Sequence, residues 1–480
     1  MAPERGDYSA LWCFLWGITG VRQRGEGKRR GTVMREIQVG LIGLGTVGCG
    51  VAKVLLDNAE ILAQRMGGIL RLKKIVDMDL DRPRPVNLPR EILSTRVEDV
   101  FEDKEIQVVV ELIGGMEPAR SFILEAVKRG KHVVTANKAL LAVHGSELFR
   151  AAMDHGVNIA FEGAVGGGIP LIRALREGLV ANRIDHVYGI LNGTANYILT
   201  RMSREGTTFA EALREAQAHG FAEADPRLDV EGVDAAHKIA ILSALAYCCE
   251  VDFDQVYIEG ITKIDPLDIQ FAADFGYTIK LLAISRCDGD RIEVRVHPTM
   301  IHGDHMLAKV DGVYNAIHLS GDAVGDIMLY GLGAGMMPTG SAVASDLVDL
   351  GRNLLVGAGV RMPPLACSQQ AIVKRQVRPM DELVLTYYFR FSAVDRPGVL
   401  SRISGILGSH DISIAAVIQK GRQERGSVPV VMMTHEARER DVRLALAEID
   451  KLQVVTAPTR LIRVENKEGA AEAISGALSS

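Results

Sequence analysis

Ile37-Gln38-Val39-Gly40-Leu41-Ile42 runs without a break into Gly43-Leu44-Gly45-Thr46-Val47-Gly48, and then into an apolar-periodic stretch from Val51 to Ala63. The first six residues read as a buried strand and the last stretch as a helix. The spacing between them, Gly43-x-Gly45-x-x-Gly48, is the dinucleotide-binding fingerprint. The first glycine permits a tight turn, the second lets the backbone approach a pyrophosphate, and the third lets the helix pack closely on the strand. The helix N-terminus then offers unbonded N–H groups and a positive dipole end to phosphates. A second strand, Leu70–Val76, ends at Asp77 and supplies the context this motif needs. A glycine-rich turn without a ligand would not require that context.

Outward from this stretch the alternation continues. Gln107–Ile113 reads as a strand ending in Gly114-Gly115, residues 119–129 as a helix, and His132–Thr135 as a strand. Strands alternating with helices call for a Rossmann-type, doubly wound parallel α/β sheet. After Asn158 the pattern changes. A strand over 158–161 leads to a glycine-rich turn, Gly163–Gly168, and then helices such as 234–249 mix with strands such as 291–297 and 313–320. This reads as a second domain that mixes helices and strands, of α+β type. A second glycine-rich loop, Gly331–Gly340, precedes a helix over Ala342–Leu355. Pro363-Pro364 mark a linker. From Glu382 a strand (383–394), helix (399–408), two strands (412–420, 428–435), helix (437–448) and final strand (453–455 or 460–464) spell a ferredoxin-like βαββαβ unit. The expected division is an extension at 1–33, a dinucleotide domain at 34–160 completed by 331–360, a catalytic domain at 161–330, a linker at 361–381, a regulatory domain at 382–466 and a tail at 467–480.

Composition agrees with an ordinary multidomain globular protein. The chain has 480 residues, 48% apolar and 24% charged, enough for two or three domains. The net charge of −5 gives no footprint for nucleic acid. No apolar run reaches the roughly 18–20 residues of a membrane span. Cysteines at 13, 49, 248, 249, 287 and 367 form no CxxC pair and show no zinc-ligand spacing, and their sparse use fits a reducing cytoplasm. His144, His155 and His237 have no oriented partner in the sequence and read as structural. Cys248-Cys249 read as core. Residues 1–33 hold Trp12, Trp16 and a basic stretch, apolar first and basic second, the reverse of a secretory signal.

Cofactor choice stays open at this level. An acid at the end of the second strand, Asp77, bonds a ribose 2′-OH and disfavours a 2′-phosphate, while nearby Arg82 and Arg84 counter that preference. NAD and NADP both fit.

The second constellation lies between Gly220 and Lys238: Gly220-Phe-Ala-Glu223-Ala-Asp225-Pro-Arg-Leu-Asp229-Val-Glu-Gly-Val-Asp234-Ala-Ala-His-Lys238. Asp234 and Lys238 are four apart on an expected helix and share a face. An ordinary surface ion pair would look the same. The helix continues, however, as Ile239-Ala-Ile-Leu-Ser-Ala-Leu-Ala, apolar nearly all round and so buried. A lysine at the start of such a helix is a poised proton donor.

This run resembles the signature of homoserine dehydrogenases, with each fixed position filled. Thr135-Ala-Asn137-Lys138, Glu162-Gly-Ala-Val165-Gly-Gly167-Gly-Ile169-Pro, Leu191-Asn192-Gly-Thr194-Ala-Asn196 and Gly331-Leu-Gly-Ala-Gly335 agree in order, over residues 35–465. The segment Asp395-Arg-Pro397-Gly398-Val399-Leu resembles an ACT domain, an amino-acid sensing module. The resemblance implies NAD(P)-dependent interconversion of L-homoserine and L-aspartate 4-semialdehyde, on the route to threonine, isoleucine and methionine. It implies that Lys238 moves the proton at the reacting oxygen. Asp234 and Glu223 would hold the substrate, Gly220 would approach it with its backbone, and Asp229 would add a further carboxylate. Lys138 would stand between cofactor and substrate. Thr46, Val47 and Gly335 would join Gly43, Gly45, Gly48 and Asp77 around NADP or NAD. A sodium-like ion would take Glu162 and the carbonyls of Val165, Gly167 and Ile169. Threonine would bind as inhibitor at Asp395, Pro397, Gly398 and Val399, opposite strand 412–418. A homo-oligomer, dimer or tetramer, is also implied.

Two other readings compete. A semialdehyde dehydrogenase that acylates a thiol needs an activated cysteine, and no cysteine here stands beside a base. A non-catalytic amino-acid sensor on a dinucleotide-binding fold would not need Glu223, Asp234 and Lys238 together.

Overall fold

The computed structural model describes residues 34–419 and 427–465; the expected extension at 1–33 and tail at 467–480 lie outside the described residues. The described residues from Glu36 onward form one compact unit.

The fingerprint stretch folds as strand β1 (Glu36–Ile42) followed by helix α1 (Thr46–Asp57) and helix α2 (Ala59–Met66). Strands β2 (Ile69–Val76), β3 (Leu93–Ser94) and β4 (Ile106–Glu111) follow, then helix α3 (Ala119–Lys128) and strand β5 (His132–Thr135). Helix α4 (Lys138–Asp154) and strand β6 (Ile159–Ala160) complete the first sheet. Its order is β3-β2-β1-β4-β5-β6 and every pair is parallel, the doubly wound dinucleotide-binding arrangement. The order reverses between β1 and β4, so a crevice opens at their carboxyl ends, where Gly43 and Leu112 stand. The inner strands β1, β4 and β5 read as near-continuous apolar runs because helices cover both faces.

The second sheet begins with β7 (Ile184–Ile190). Helices α5 (Gly193–Glu205), α6 (Phe209–Ala218) and α7 (Val233–Tyr247) follow, with short strands β8 (Cys249–Glu250) and β9 (Tyr257–Ile258) and helix α8 (Pro266–Asp274). Two long antiparallel strands, β10 (Tyr277–Asp288) and β11 (Arg291–His302), precede the hairpin β12 (Tyr314–Gly321) and β13 (Gly325–Leu332). Helix α9 (Met336–Leu355) then returns to the first sheet. It packs across α1 through backbone: a Cβ on Gly50 would lie 2.0 Å from the Met336 carbonyl oxygen, and one on Gly340 would lie 2.6 Å from the Gly50 carbonyl carbon.

The expected linker contributes small strands, β14 (Val373–Lys374) against β8 and β15 (Gln376–Val377) against β11. Strand β16 (Val384–Val394), helix α10 (Val399–Ser409), strands β17 (Ile414–Gln419), β18 (Ser427–Thr434) and β19 (Ala437–Arg438), helix α11 (Glu439–Ile449) and strand β20 (Val455–Glu465) form the C-terminal unit. Its four main strands run in the order β20-β16-β18-β17, the ferredoxin-like pattern that the sequence suggests. The unit is not separate. β20 pairs in parallel with β11, Thr299 opposite Arg463 and Ile301 opposite Glu465, so the catalytic sheet runs into the C-terminal sheet as one surface.

Buried charges weld this seam. Arg463, almost fully buried, reaches Glu439 on its own unit and Glu259 at 2.7 Å across the seam. Arg295 reaches Glu465 at 2.5 Å, and Arg390 reaches Asp268 of α8 at 2.5 and 2.9 Å. A buried guanidinium is tolerated only when paired in this way.

Candidate active site

The three fingerprint glycines have different reasons. Gly43 takes φ +99°, and a Cβ there would lie 2.8 Å from the Leu112 carbonyl. A Cβ on Gly48 would lie 2.1 Å from the Gly43 carbonyl oxygen. These two are required by the fold itself. A Cβ on Gly45 would meet nothing within 4 Å, so its smallness serves something outside the protein. Gly45 caps α1 without any side-chain hydrogen bond, and it and Thr46 are exposed while Val47 is half-buried. Gly335, at φ +130°, caps α9 in the same way. Two uncapped helix N-termini in one crevice fit a dinucleotide pyrophosphate.

Asp77 stands at the end of β2, but its carboxylate is already engaged. It accepts from the Leu44 N–H at 2.7 Å and the Asp79 N–H at 3.0 Å, and pairs with Arg84 at 3.1 Å. Arg84 also donates to the carbonyls of Leu44, at 3.1 Å, and Asp79. The acid and the base that the sequence sets against each other are thus bonded together beneath the glycine loop.

The second cluster assembles where the first turn of α7 meets the start of α4. Lys238 Nζ lies 2.6 Å from Asp234 Oδ2 and donates to the Leu191 carbonyl, also at 2.6 Å. The other oxygen of Asp234 lies 3.1 Å from Lys138 Nζ. Lys238 and Asp234 are buried; the Lys138 side chain is about two-fifths exposed. Burial pushes the Asp234 carboxyl up, yet the two ammonium groups outweigh it and hold the group well below the usual range. Asp234 in turn raises Lys138. Asn192 donates to both Asp229, at 2.7 Å, and Asp234, at 2.9 Å. Asp229 is pushed up, first by burial and then by the neighbouring Asp234 charge. Glu223 is exposed, and Gly220 takes φ +72° with open space where a Cβ would stand.

Asn192 and the Leu191 carbonyl are contributors that residue spacing does not announce, since they enter from the turn between β7 and α5. A third is Glu111. Its buried carboxylate accepts from Thr135 Oγ1 at 2.8 Å and from the Ile113 N–H at 2.9 Å. Thr135 accepts from the Asn137 N–H at 3.0 Å, and Asn137 caps α4 by accepting from Leu140 N–H. This chain fixes the first turn of α4, and so the root of Lys138.

The glycine-rich turn after β6 folds around Glu162. Its buried carboxylate accepts from the N–H groups of Ile172 and Arg173, each at 2.9 Å. Val165 and Ile169 are buried, and Gly166 and Gly167 take positive φ. A Cβ on Gly167 would lie 2.5 Å from the Gly333 carbonyl oxygen, so this turn lies against the loop that delivers Gly335.

The remaining candidates take no part in the hydrogen bonds of either cluster, although His237 stands next to Lys238 within reach of the charges of Asp234 and Lys138. Gly398, at φ +85°, caps α10 without a side-chain bond; Pro397 is exposed, Asp395 is half-buried and Val399 is buried. His237 stacks on Phe253 at 4.7 Å, and His155 bonds the Ala151 carbonyl at 2.9 Å. Cys248 and Cys249 fall just past α7 rather than on it. Cys249 is buried, while Cys248 caps the helix in the left-handed region at φ 48° and is only half-buried.

A dinucleotide crevice facing a buried lysine–aspartate pair defines a dinucleotide-dependent oxidoreductase. Comparison with known proteins narrows this. Residues 170–348 match the family described as homoserine dehydrogenase, residues 43–162 its NAD-binding domain, and residues 387–453 the ACT domain. The homoserine dehydrogenases of Neisseria gonorrhoeae and Pseudomonas aeruginosa are each 45% identical over 90% of this chain and 99% of their own. The crystal structure of a homoserine dehydrogenase from Thiobacillus denitrificans superposes with a TM-score of 0.84 at 45% identity, over 90% of this chain and 99% of that one. The chain belongs to the homoserine dehydrogenase family and carries a C-terminal ACT domain. No described helix is long and apolar enough to cross a membrane.

Proposed function

We propose that the chain interconverts L-homoserine and L-aspartate 4-semialdehyde, with Lys238 moving the proton at the reacting oxygen. The observation that carries this is Asp234, bracketed at 2.6 and 3.1 Å by the ammonium groups of Lys238 and Lys138 in a largely buried pocket. The bound dinucleotide supplies or takes the hydride. The protein must then bind the substrate, steady the charge that develops on oxygen, and deliver or remove one proton. An ammonium has three N–H donors. Lys238 uses two on Leu191 and Asp234, which fixes its head and leaves one for a substrate oxygen. Lys138 brings a second positive charge to the same place. Such charge is most effective in a site already organised for it.

The substrate carries an ammonium group, for which Asp229 and the exposed Glu223 are the carboxylates at hand. Burying Asp229 beside Asp234 is costly for its charged form, and an incoming ammonium relieves that cost. The open space at Gly220 allows close approach of its backbone. Thr46, Val47 and Gly335 with the fingerprint glycines would hold NAD or NADP, and Asp77 with Arg84 would face the adenosine ribose. Glu162 with the carbonyls of Val165, Gly167 and Ile169 offers an all-oxygen set, suited to a hard monovalent cation such as sodium.

Threonine is the proposed effector of the ACT domain, held at the uncapped N-terminus of α10 by Asp395, Pro397, Gly398 and Val399, facing β17. The working form is read as at least a dimer. Exposed Tyr314 and Tyr330, stacked at 4.9 Å beside exposed Leu332, give the outer hairpin an apolar surface for it. A cytoplasmic setting fits the scattered free thiols.

Steady-state rates with homoserine and with the semialdehyde, each with both dinucleotides and with and without sodium and threonine, test this reading. Turnover in both directions is expected. Folded protein that turns over neither substrate with either cofactor would leave the non-catalytic sensor.

A further inference from the structure

His186, His318 and Asp326 stand on three successive strands of the catalytic sheet, β7, β12 and β13. In the register, Ser320 pairs with His186 on one side and with Asp326 on the other. His318 lies two residues along β12 from Ser320, so all three side chains emerge on one face. One donor atom from each lies within 4.8 Å of the others, and His318 Nε2 is 3.6 Å from Asp326 Oδ2. The two imidazoles are stacked 5.6 Å apart at 20°. His305 meets the His318 ring at 5.4 Å, and Tyr188 packs against both stacked rings.

The chemistry of this trio differs from that of the catalytic cluster. Two imidazole nitrogens and one carboxylate oxygen are a donor set for a borderline-soft divalent ion, with a fourth position left for water. Arg286, opposite His186 on β10, is paired with Glu465 at 2.6 Å. Donor atoms around a tetrahedral zinc stand roughly 3.3 Å apart. His318 Nε2 and Asp326 Oδ2, at 3.6 Å, already stand near that spacing, and the aspartate is half exposed.

We infer that this face binds one divalent transition-metal ion of the zinc type through His186, His318 and Asp326. The ion ties the β12–β13 hairpin to β7. Because β13 runs directly into the loop that carries Gly335, it also steadies one wall of the dinucleotide crevice. Chain spacing argues against a zinc site because it sees only neighbours in sequence; these ligands are brought together by strand register.

The test uses the untagged full-length chain stripped with a chelator, then titrated with Zn²⁺ by calorimetry and with Co²⁺ by visible absorption. One saturating ion per chain is expected, with Co²⁺ ligand-field bands and a raised Tm. His186→Gln and Asp326→Asn should each weaken binding about tenfold or more and abolish the bands. Asp326 is exposed, so its variant tests the site without touching the core. No saturable binding, or binding unchanged in both variants, overturns the inference.

Discussion

Lys238 stands one helical turn beyond Asp234, its ammonium 2.6 Å from a carboxylate that is buried with it. Removing the lysine leaves Asp234 with Lys138 and Asn192 as partners and takes away the proposed proton path. Lys238→Ala is therefore expected to lower kcat by about 10²–10⁴-fold, the range for a lost general acid–base. Dinucleotide affinity, measured by fluorescence titration, should change little because the glycine loop lies outside this cluster. Normal turnover in the variant would remove Lys238 from the chemistry.

The fingerprint glycines separate cofactor binding from folding. Gly48→Ala drives a methyl to 2.1 Å from the Gly43 carbonyl oxygen and should lower Tm by several degrees. Gly45→Ala enters open space and should leave Tm unchanged while raising the dinucleotide KM about tenfold or more. Equal losses of stability in the two variants would contradict this division of roles.

Much of the first domain was legible because its signals are local. The Gly43–Gly48 spacing, the run of β1 and the end of β2 sit within one βαβ unit. Local reading missed where packing overrode it. The single helix expected over Val51–Ala63 is two, α1 and α2, broken at Asn58. The loop expected to last until Gly340 ends at Met336, since Pro338 is tolerated in a first turn and Gly340 is what lets α9 touch α1. Strand β11 continues through Pro298 to His302. There the proline, with no N–H to give, falls between the β9 pairing at Arg295–Val296 and the β20 pairing at Thr299–Ile301. In the active site, the i,i+4 pair Asp234–Lys238 could be read from the chain. Lys138 and Asn192 could not be placed beside it by spacing, because they come from other elements. The merging of the catalytic and ACT sheets was invisible for the same reason.

Glu111 makes a prediction about pH. Its carboxyl is raised above the ordinary value, chiefly by burial, against hydrogen bonds from Thr135, Ile113 and Gly114. A group whose folded pKa lies above its unfolded one contributes stability that is fully present below the unfolded pKa. That contribution is lost as pH rises through the folded value. Glu111→Gln keeps an acceptor for the backbone and cannot ionise. The variant should gain stability relative to the parent as pH rises from about 4.5 to 8, and lose that advantage in acid. Parallel denaturation midpoints for the two proteins across this range would rule out the linkage.

Asp268 joins the two halves of the long sheet. It is buried on α8 and accepts from Arg390 at 2.5 and 2.9 Å and from Tyr388 Oη at 3.0 Å, both on the first strand of the ACT domain. Removing one partner of such a pair strands the other in a poor solvent, at about 3–5 kcal/mol. Asp268→Ala should therefore lower Tm markedly, and Asp268→Asn, which keeps shape and one acceptor, should lower it less. Neither change touches Lys238, Asp234 or the glycine loop, so the rate without effector should stay within about twofold of the parent. The proposed response to threonine is another matter. An effector at α10 can bias the catalytic half only through elements that both halves share, and this pair is one of them. Both variants should show a weakened threonine response at effector concentrations that still saturate the domain. An undiminished response in Asp268→Asn would place the coupling instead at the β11–β20 seam, where Arg463 meets Glu259 and Arg295 meets Glu465.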